Sequence, residues 1–407
     1  MRRTLLYVVL PFLVIGAAAR KAVQFTVDPV GDKHCPPLDP AGAQPLDVAG
    51  LPVALASSGV SLVQRGGTLN DASCLSETAV YGVVRPKDVA QISSALAFAR
   101  ASKLPVSIAG VRHSMGGHAF GRGALVLDMR DFRQMTLDEG NKLLTVQSGA
   151  TWHDIQEFLH GKKLSVKAMQ STDIFTVGGS ISVNAHGMDH KAGAVVDTLR
   201  SMRIMLADGT IRVLSRRDDP ELFWAAVGGY GMFGVILDAT LELTDDILYD
   251  HETRIVDYRD YPAEFGAIAD DADIGLHYAH LSTAPGKGFL RETLLHVYRA
   301  AREQPATMPP LPAEVDGVKL QRFLLNFSKT GWIGRKLKWW AEKRHVAACA
   351  VPRTAAMAEG EACLVSRNET MHDSVPYLRN AIPGDTDILH EYFVPRAAFV
   401  PYVDDVR

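Results

Sequence analysis

The residues with the most chemistry in this sequence stand in the stretch Ala109-Gly-Val-Arg-His-Ser-Met-Gly-Gly-His118, where His113 sits in a glycine-bounded loop directly after a short apolar run. Backbone N–H groups in turn conformations form concavities for anions, and glycine lets backbone approach a ligand with no side chain between. The loop of Ala109, Gly110, Val111, Arg112, Ser114, Met115 and Gly117 can therefore cradle a diphosphate, while His113 reaches the remainder of a cofactor as a tether.

A second segment, Thr176-Val-Gly-Gly-Ser-Ile-Ser-Val-Asn-Ala-His-Gly187, sets small and hydroxyl-bearing residues where they can hydrogen-bond phosphates or ring edges. Thr176, Gly178, Gly179, Ser182, His186 and Gly187 are its candidates, although a histidine in the position of His186 also serves well as a purely structural residue. A third, Gly228-Gly-Tyr-Gly-Met-Phe-Gly234, contains a formal G-x-G-x-x-G. A dinucleotide fingerprint needs a strand before it and a helix after it, and here the order is reversed. A tight packing turn and a turn that lays backbone against a flat ring both fit.

The elements that would position these segments follow from periodicity. Val80–Val84 has strand composition, Pro86 suits a first helical turn, and Val89, Ile92, Leu96 and Ala99 mark one helical face before a strand at Pro105–Ala109. Further strands are predicted at Ala124–Asp128 and Leu143–Gln147. Thr151 with Asp154 predicts a capped helix buried through Trp152, Ile155, Phe158 and Leu159 and ending at Gly161. Asp208-Gly209 joins Met202–Ala207 to Thr210–Leu214 as a hairpin. A helix at Pro220–Val227 and a strand at Val235–Leu243 close a first folded unit.

The boundaries expected are 1–22 for an export signal or membrane anchor, 23–75 for an irregular leader, 76–245 for the first domain and 246–407 for a second. Arg2-Arg3 before the apolar run Leu5–Ala19 has the layout of an export signal, with a loose likeness to the twin-arginine type. An exported or membrane-associated location is the expectation. The 407 residues, with 47% hydrophobic and 22% charged, suffice for a large core, and a net charge of -3 gives no general reason to bind nucleic acid. Cys35, Cys74, Cys349 and Cys363 contain no C-x-x-C pair, so neither a disulfide framework nor a zinc site is read from them; no metal is expected.

Together, Arg85-Pro86, Gly110-Val-Arg-His-Ser, Val177-Gly-Gly with Asn184-Ala-His-Gly187, and Pro220-Glu-Leu-Phe-Trp running into Gly228–Ile236 resemble the vanillyl-alcohol oxidase, or PCMH-type, FAD-binding oxidoreductase superfamily over about Glu77–Asp245. The resemblance implies an α+β fold: a two-subdomain FAD-binding domain followed by an α+β substrate (cap) domain. It implies FAD bonded through its 8α-methyl carbon to His113, with Asp173, Val235 and Ile236 among further cofactor contacts. Ser171-Thr172-Asp173 stands where some members carry a second, cysteinyl bond, which disfavours one here.

Beyond Asp245, His390-Glu-Tyr-Phe-Val-Pro-Arg396 resembles a strand of the alditol and aldonolactone oxidase branch. Alternation puts Glu391 and Phe393 on one face and Tyr392 and Val394 on the other, so Glu391 and Tyr392 compete for the catalytic role. Leu389 replaces a substrate-contacting Gln of that branch, and the chain is expected to be truncated at Arg407. The basic segment Trp332–Arg344, with Ile333, Leu337 and Trp340 at helical spacing, fits a membrane-surface helix, an active-site cover or a helix packed on the cap. The implied reaction takes hydride from an alcohol or hemiacetal carbon of a small-molecule sugar, polyol or aldonolactone to flavin N5. Oxygen or another acceptor completes it. A sterol or terpenoid alcohol, and an inactive FAD-binding fragment, are the alternatives.

Overall fold

A computed structural model describes residues 10–26, 59–312, 317–344, 363–376, 378, 380–382 and 384–407. Residues 1–9, the start of the expected export segment, lie outside that set. The rest of the apolar run forms α1 (Leu10–Thr26), which continues past Arg20-Lys21. Among the described residues no helix is long and apolar enough to cross a membrane.

The region expected to be an irregular leader already carries structure. β1 (Leu62–Arg65) pairs antiparallel with a later strand, and β2 (Thr68–Leu69) pairs with β3 (Thr78–Ala79) in a small ribbon. These runs are too short for their period to be read from sequence, and only pairing reveals them. β4 (Gly82–Val84), α2 (Val89–Ala101), β5 (Val106–Ala109) and β6 (Leu125–Asp128) follow. The first sheet has the order β1-β4-β6-β5, with β4 and β5 both parallel to β6. α2 opens at Asp88, whose side chain accepts from Gln91 N at 2.8 Å, so Pro86 lies ahead of the helix rather than in its first turn. Ile92 and Leu96 of α2 pack on Leu125 and Leu127.

The second sheet is antiparallel. It contains β7 (Met135–Asp138), β8 (Leu143–Gln147), β9 (Leu164–Val166), β10 (Leu199–Met205), β11 (Ile211–Leu214) and β12 (Val235–Asp245), in the order β11-β10-β12-β8-β7 with β9 also on β12. Between its strands lie α3 (Trp152–His160), α4 (Val177–Ser182), α5 (Val195–Thr198) and α6 (Pro220–Ala226). α3 carries the expected capping box: Thr151 Oγ1 accepts from Asp154 N at 3.1 Å while Thr151 N donates to Asp154 Oδ2 at 2.9 Å. Trp152, Ile155 and Leu159 are fully buried in the larger core, and Phe158 packs at its margin.

A third antiparallel sheet, order β14-β15-β13-β16, is built from β13 (Leu248–Asp257), β14 (Ile274–Leu281), β15 (Glu292–Ala300) and β16 (Cys363–Ser366). One face is covered by α7 (Tyr261–Asp270) through Ile268, Ile274, Leu295 and Val297. The other contributes Tyr249, Leu276 and Tyr298 to the core of the second sheet. The fold is therefore α+β, with α8 (Val318–Lys329), α9 (Trp332–Arg344), α10 (Arg367–Thr370) and α11 (Phe399–Val406) completing it. α1 rests on α8, with Phe25 and Phe323 ring centroids 6.2 Å apart.

Further sequence readings are corrected or sharpened. His390–Arg396 is not a strand: no described strand pairs with it, and an open row of backbone groups gains nothing from extension alone. α9 buries Gly334 and Trp339, while Ile333, Leu337 and Trp340 are exposed. Cys74 is disulfide-bonded rather than a free or buried thiol.

Candidate cofactor site

The three glycine segments, distant in sequence, meet in space. A Cβ at Gly110 would lie 2.1 Å from Thr176 Oγ1, so the backbone of the first loop lies directly against the side chain that opens the second segment. His113 sits edge-on to Phe175 with ring centroids 5.2 Å apart. The third segment closes on both. Tyr230 N donates to Ser182 O at 2.9 Å, Gly228 N donates to Ile181 O at 3.0 Å, and the Tyr230 ring lies 5.0 Å from His118. A helix precedes this turn and β12 follows it, the reverse of a dinucleotide fingerprint.

Several glycines are required by space rather than by φ. A Cβ at Gly178 would sit 2.8 Å from Ser148 Cβ, and one at Gly187 would sit 1.8 Å from Met169 O. Gly178 N donates to Ser148 O at 2.8 Å, and Ser148 Oγ beside it is buried without a hydrogen-bond partner. A polar ligand along this seam would satisfy that hydroxyl.

The rim of the first loop carries surplus positive charge. Arg85 follows β4, Arg112 follows β5 and Asp128 ends β6, so all three lie at the carboxyl ends of parallel strands, where open α/β sheets place ligands. Arg85 Nη2 reaches Asp128 Oδ2 at 3.0 Å and Arg130 Nε reaches Asp128 Oδ1 at 2.8 Å. Burial alone would raise the Asp128 carboxyl, but the Arg130 hydrogen bond and the Arg130 and Arg85 charges bring it below the usual range. Burial, then repulsion from Arg130, lowers the Arg112 guanidinium, against the pull of Asp128. Three guanidinium groups around one carboxylate suit a diphosphate. Asp71, 1% exposed, braces the loop from below by accepting from Gly117 N at 2.8 Å.

Not every sequence candidate faces this seam. Ala109 is buried, and Val111, Arg112, His113, Ser114 and Met115 are half-buried along the loop. Thr176 caps α4 by accepting from Gly179 N, and Ser182 Oγ donates to Gly178 O at 2.7 Å. Val235 and Ile236 lie inside apolar cores, and the Asp173 carboxylate turns to two histidines. His186 Nε2 is 3.7 Å from Glu391 Oε2, and its ring meets Phe393 edge-on at 5.5 Å. Glu391 and Phe393 thus share the face toward His186, while Tyr392 turns to Tyr402 at 6.1 Å.

Sequence reasoning missed Asp128, Arg130 and Asp71, and also a wall of rings on the third sheet. Registers Tyr278↔His296 and His251↔Tyr298 put these rings on one face, where Tyr278 stacks on His296 at 4.2 Å and His251 on Tyr298 at 4.4 Å. Burial pushes the Tyr278 hydroxyl up to about 12. Near His186, His277 N donates to Met188 O, and its ring faces His190 with the two Nδ1 atoms 3.3 Å apart. The signal for Asp128 was legible: a carboxylate ends an apolar strand, with arginine two residues on.

Residues 80–215 match the FAD binding domain family. Decaprenylphosphoryl-beta-D-ribose oxidase of Mycolicibacterium smegmatis is 36% identical over 138 residues, covering 33% of this chain and 30% of that protein. Cytokinin dehydrogenase 2 of Arabidopsis thaliana is 28% identical over 165 residues, 40% of this chain and 33% of its own length. L-gulonolactone oxidase of Mus musculus is 28% identical over 158 residues, 39% and 36%. The chain spans about a third of the length of the relatives it matches.

Proposed function

Since the chain belongs to the PCMH-type FAD-dependent oxidoreductase superfamily through residues 80–215, we propose that it oxidises the CH–OH group of a sugar, polyol or aldonolactone-like molecule. The observation that carries this reading is the convergence of Gly110, Thr176–Gly178 and the Gly228–Gly231 turn on one seam. FAD, when bound there, supplies the two-electron acceptor, with oxygen or another acceptor taking the electrons onward.

In this reading the two sheets of residues 59–245 are the two subdomains that hold FAD between them. Arg112, with Arg85 and Arg130 behind it, carries the diphosphate charge, and the backbone of Gly110 and Gly178 gives close approach. Ser148 Oγ supplies a hydrogen bond, and His113 is the covalent tether. Glu391, beside His186, accepts the donor's hydroxyl proton. The imidazole and phenol wall of His251, Tyr278, His280, His296 and Tyr298 suits a hydroxylated donor better than a sterol, because these rings carry groups able to hydrogen-bond hydroxyls.

The disulfide at Cys74 supports an exported location, since such bonds persist in oxidising compartments. Peripheral contact with a membrane rests on α9, where Trp332, Ile333, Leu337 and Trp340 are exposed among lysines and arginines.

The test is direct. Purified protein precipitated with trichloroacetic acid should leave a yellow pellet, and one hydroxylated donor should bleach the flavin anaerobically. Bleaching by a sterol alone would favour the apolar reading. Bound flavin that no alcohol, lactone or sterol reduces would leave an FAD-binding fragment without turnover.

A further inference from the structure

One cluster of ligating side chains lies outside the glycine seam. His153 on α3, Asp173 in the loop before α4 and His372 just past α10 bring their ligand atoms within 4.8 Å of one another. His153 Nδ1 is 2.8 Å from Asp173 Oδ2, and His372 Nδ1 is 3.2 Å from the same oxygen. Asp173 is 1% exposed, and its other oxygen, Oδ1, is buried with no hydrogen-bond partner. A carboxylate buried this deeply needs a countercharge, and among the described residues no lysine or arginine forms an ion pair with it.

We propose that His153, Asp173 and His372 bind a divalent transition-metal ion of the zinc type. Imidazole nitrogen and carboxylate oxygen are the ligands such ions prefer, at about 2.0–2.2 Å, which spaces ligand atoms of a tetrahedral site roughly 3.3 Å apart. The observed 2.8 and 3.2 Å require only a small outward movement. The fully buried Gln156 offers a fourth oxygen, with Oε1 3.0 Å from His372 Nδ1. Glu157 stands 3.4 Å from His153 Nε2, where a carboxylate orients a ligating ring from behind.

The ion would act as a clasp. Thr172 Oγ1 already donates to Asp373 O at 2.6 Å, and Asp173 N donates to the same carbonyl at 3.3 Å. Metal binding would lock the segment after β16 onto the loop that leads into Gly178. The chemistry is coordination alone, with no change of oxidation state.

The experiment uses the full chain without a histidine tag, stripped with chelator, desalted and titrated with Zn2+ by calorimetry, followed by elemental analysis after dialysis. One zinc per chain should be retained, and the thermal midpoint should rise with Zn2+ and fall back with EDTA. His153→Ala alters a half-exposed surface position and should fold normally, yet weaken Zn2+ binding by roughly tenfold or more. Asp173→Asn should do the same. Failure of the wild type to retain zinc, or equal affinity in folded His153→Ala, would overturn the proposal and leave a hydrogen-bonded clasp.

Discussion

Gly110 and Thr176 touch so closely that a methyl group on Gly110 would fall 2.1 Å from the threonine hydroxyl. This contact couples the histidine loop to the cap of α4, since the same hydroxyl accepts from Gly179 N. Gly110→Ala should therefore lower both flavin content and stability, by about 1–3 kcal/mol for an overpacked site. Gly110→Ala combined with Thr176→Ala should recover part of each loss. Equal flavin content in wild type and Gly110→Ala would show that the two segments do not form one cradle.

The charge at the loop rim makes a separate claim. Arg112 has Arg85 and Arg130 as neighbours and shares one carboxylate with them. Arg112→Ala should weaken FAD binding, and the salt sensitivity of binding should fall with it, because a screened ionic contact has been removed. Reconstitution of the His113→Ala apoprotein with FAD at rising ionic strength measures this. An unchanged salt dependence would place the diphosphate elsewhere.

His113 is half-buried at the seam, edge-on to Phe175. If it tethers the cofactor, acid precipitation should leave flavin in the wild-type pellet and release it from His113→Ala. The folded variant should still bind FAD reversibly, since the backbone and guanidinium groups of the cradle remain. Complete release from the wild type would end the covalent reading.

Much of this site was legible because its parts are local. A glycine flanked by polar residues marks backbone that must come close to something, and the capping box of Thr151 and Asp154 depends on residues three apart. What escaped was non-local. β1 is visible only through its pairing with β4, and the ring wall only through the register of β13, β14 and β15. His390–Arg396 misled because alternation gives faces without supplying a neighbour. It did place Glu391 and Phe393 together, as the contacts with His186 bear out. Asp173 stood near the right motif, yet its partner His372 lies far along the chain.

His277 gives a pH test. Burial, then the adjacent His190, holds its imidazole down to about 4, and Tyr261 Oη also faces it, at 3.5 Å. A folded value below that of the unfolded chain means the neutral ring stabilises the fold above about pH 6.5. That contribution is lost as pH falls through about 4. His277→Gln should flatten the acid limb of the stability profile by about 2 kcal/mol between these limits. Parallel denaturation curves for the two proteins across that range would refute the assignment.

Glu391 and Tyr392 point to opposite sides, and only Glu391 reaches His186. A general base must lie beside the donor's hydroxyl, and the side toward His186 is occupied by Glu391 while Tyr392 turns toward Tyr402. Glu391→Gln should leave flavin content unchanged and lower kcat by about 100-fold, the usual scale for a general base. Tyr392→Phe should stay near the wild-type rate. Single-turnover flavin bleaching separates the two cases, because it reads the chemical step without the reoxidation that follows. Should Tyr392→Phe be the slower variant, the exposed segment must rearrange when substrate binds, exchanging which of the two side chains meets His186.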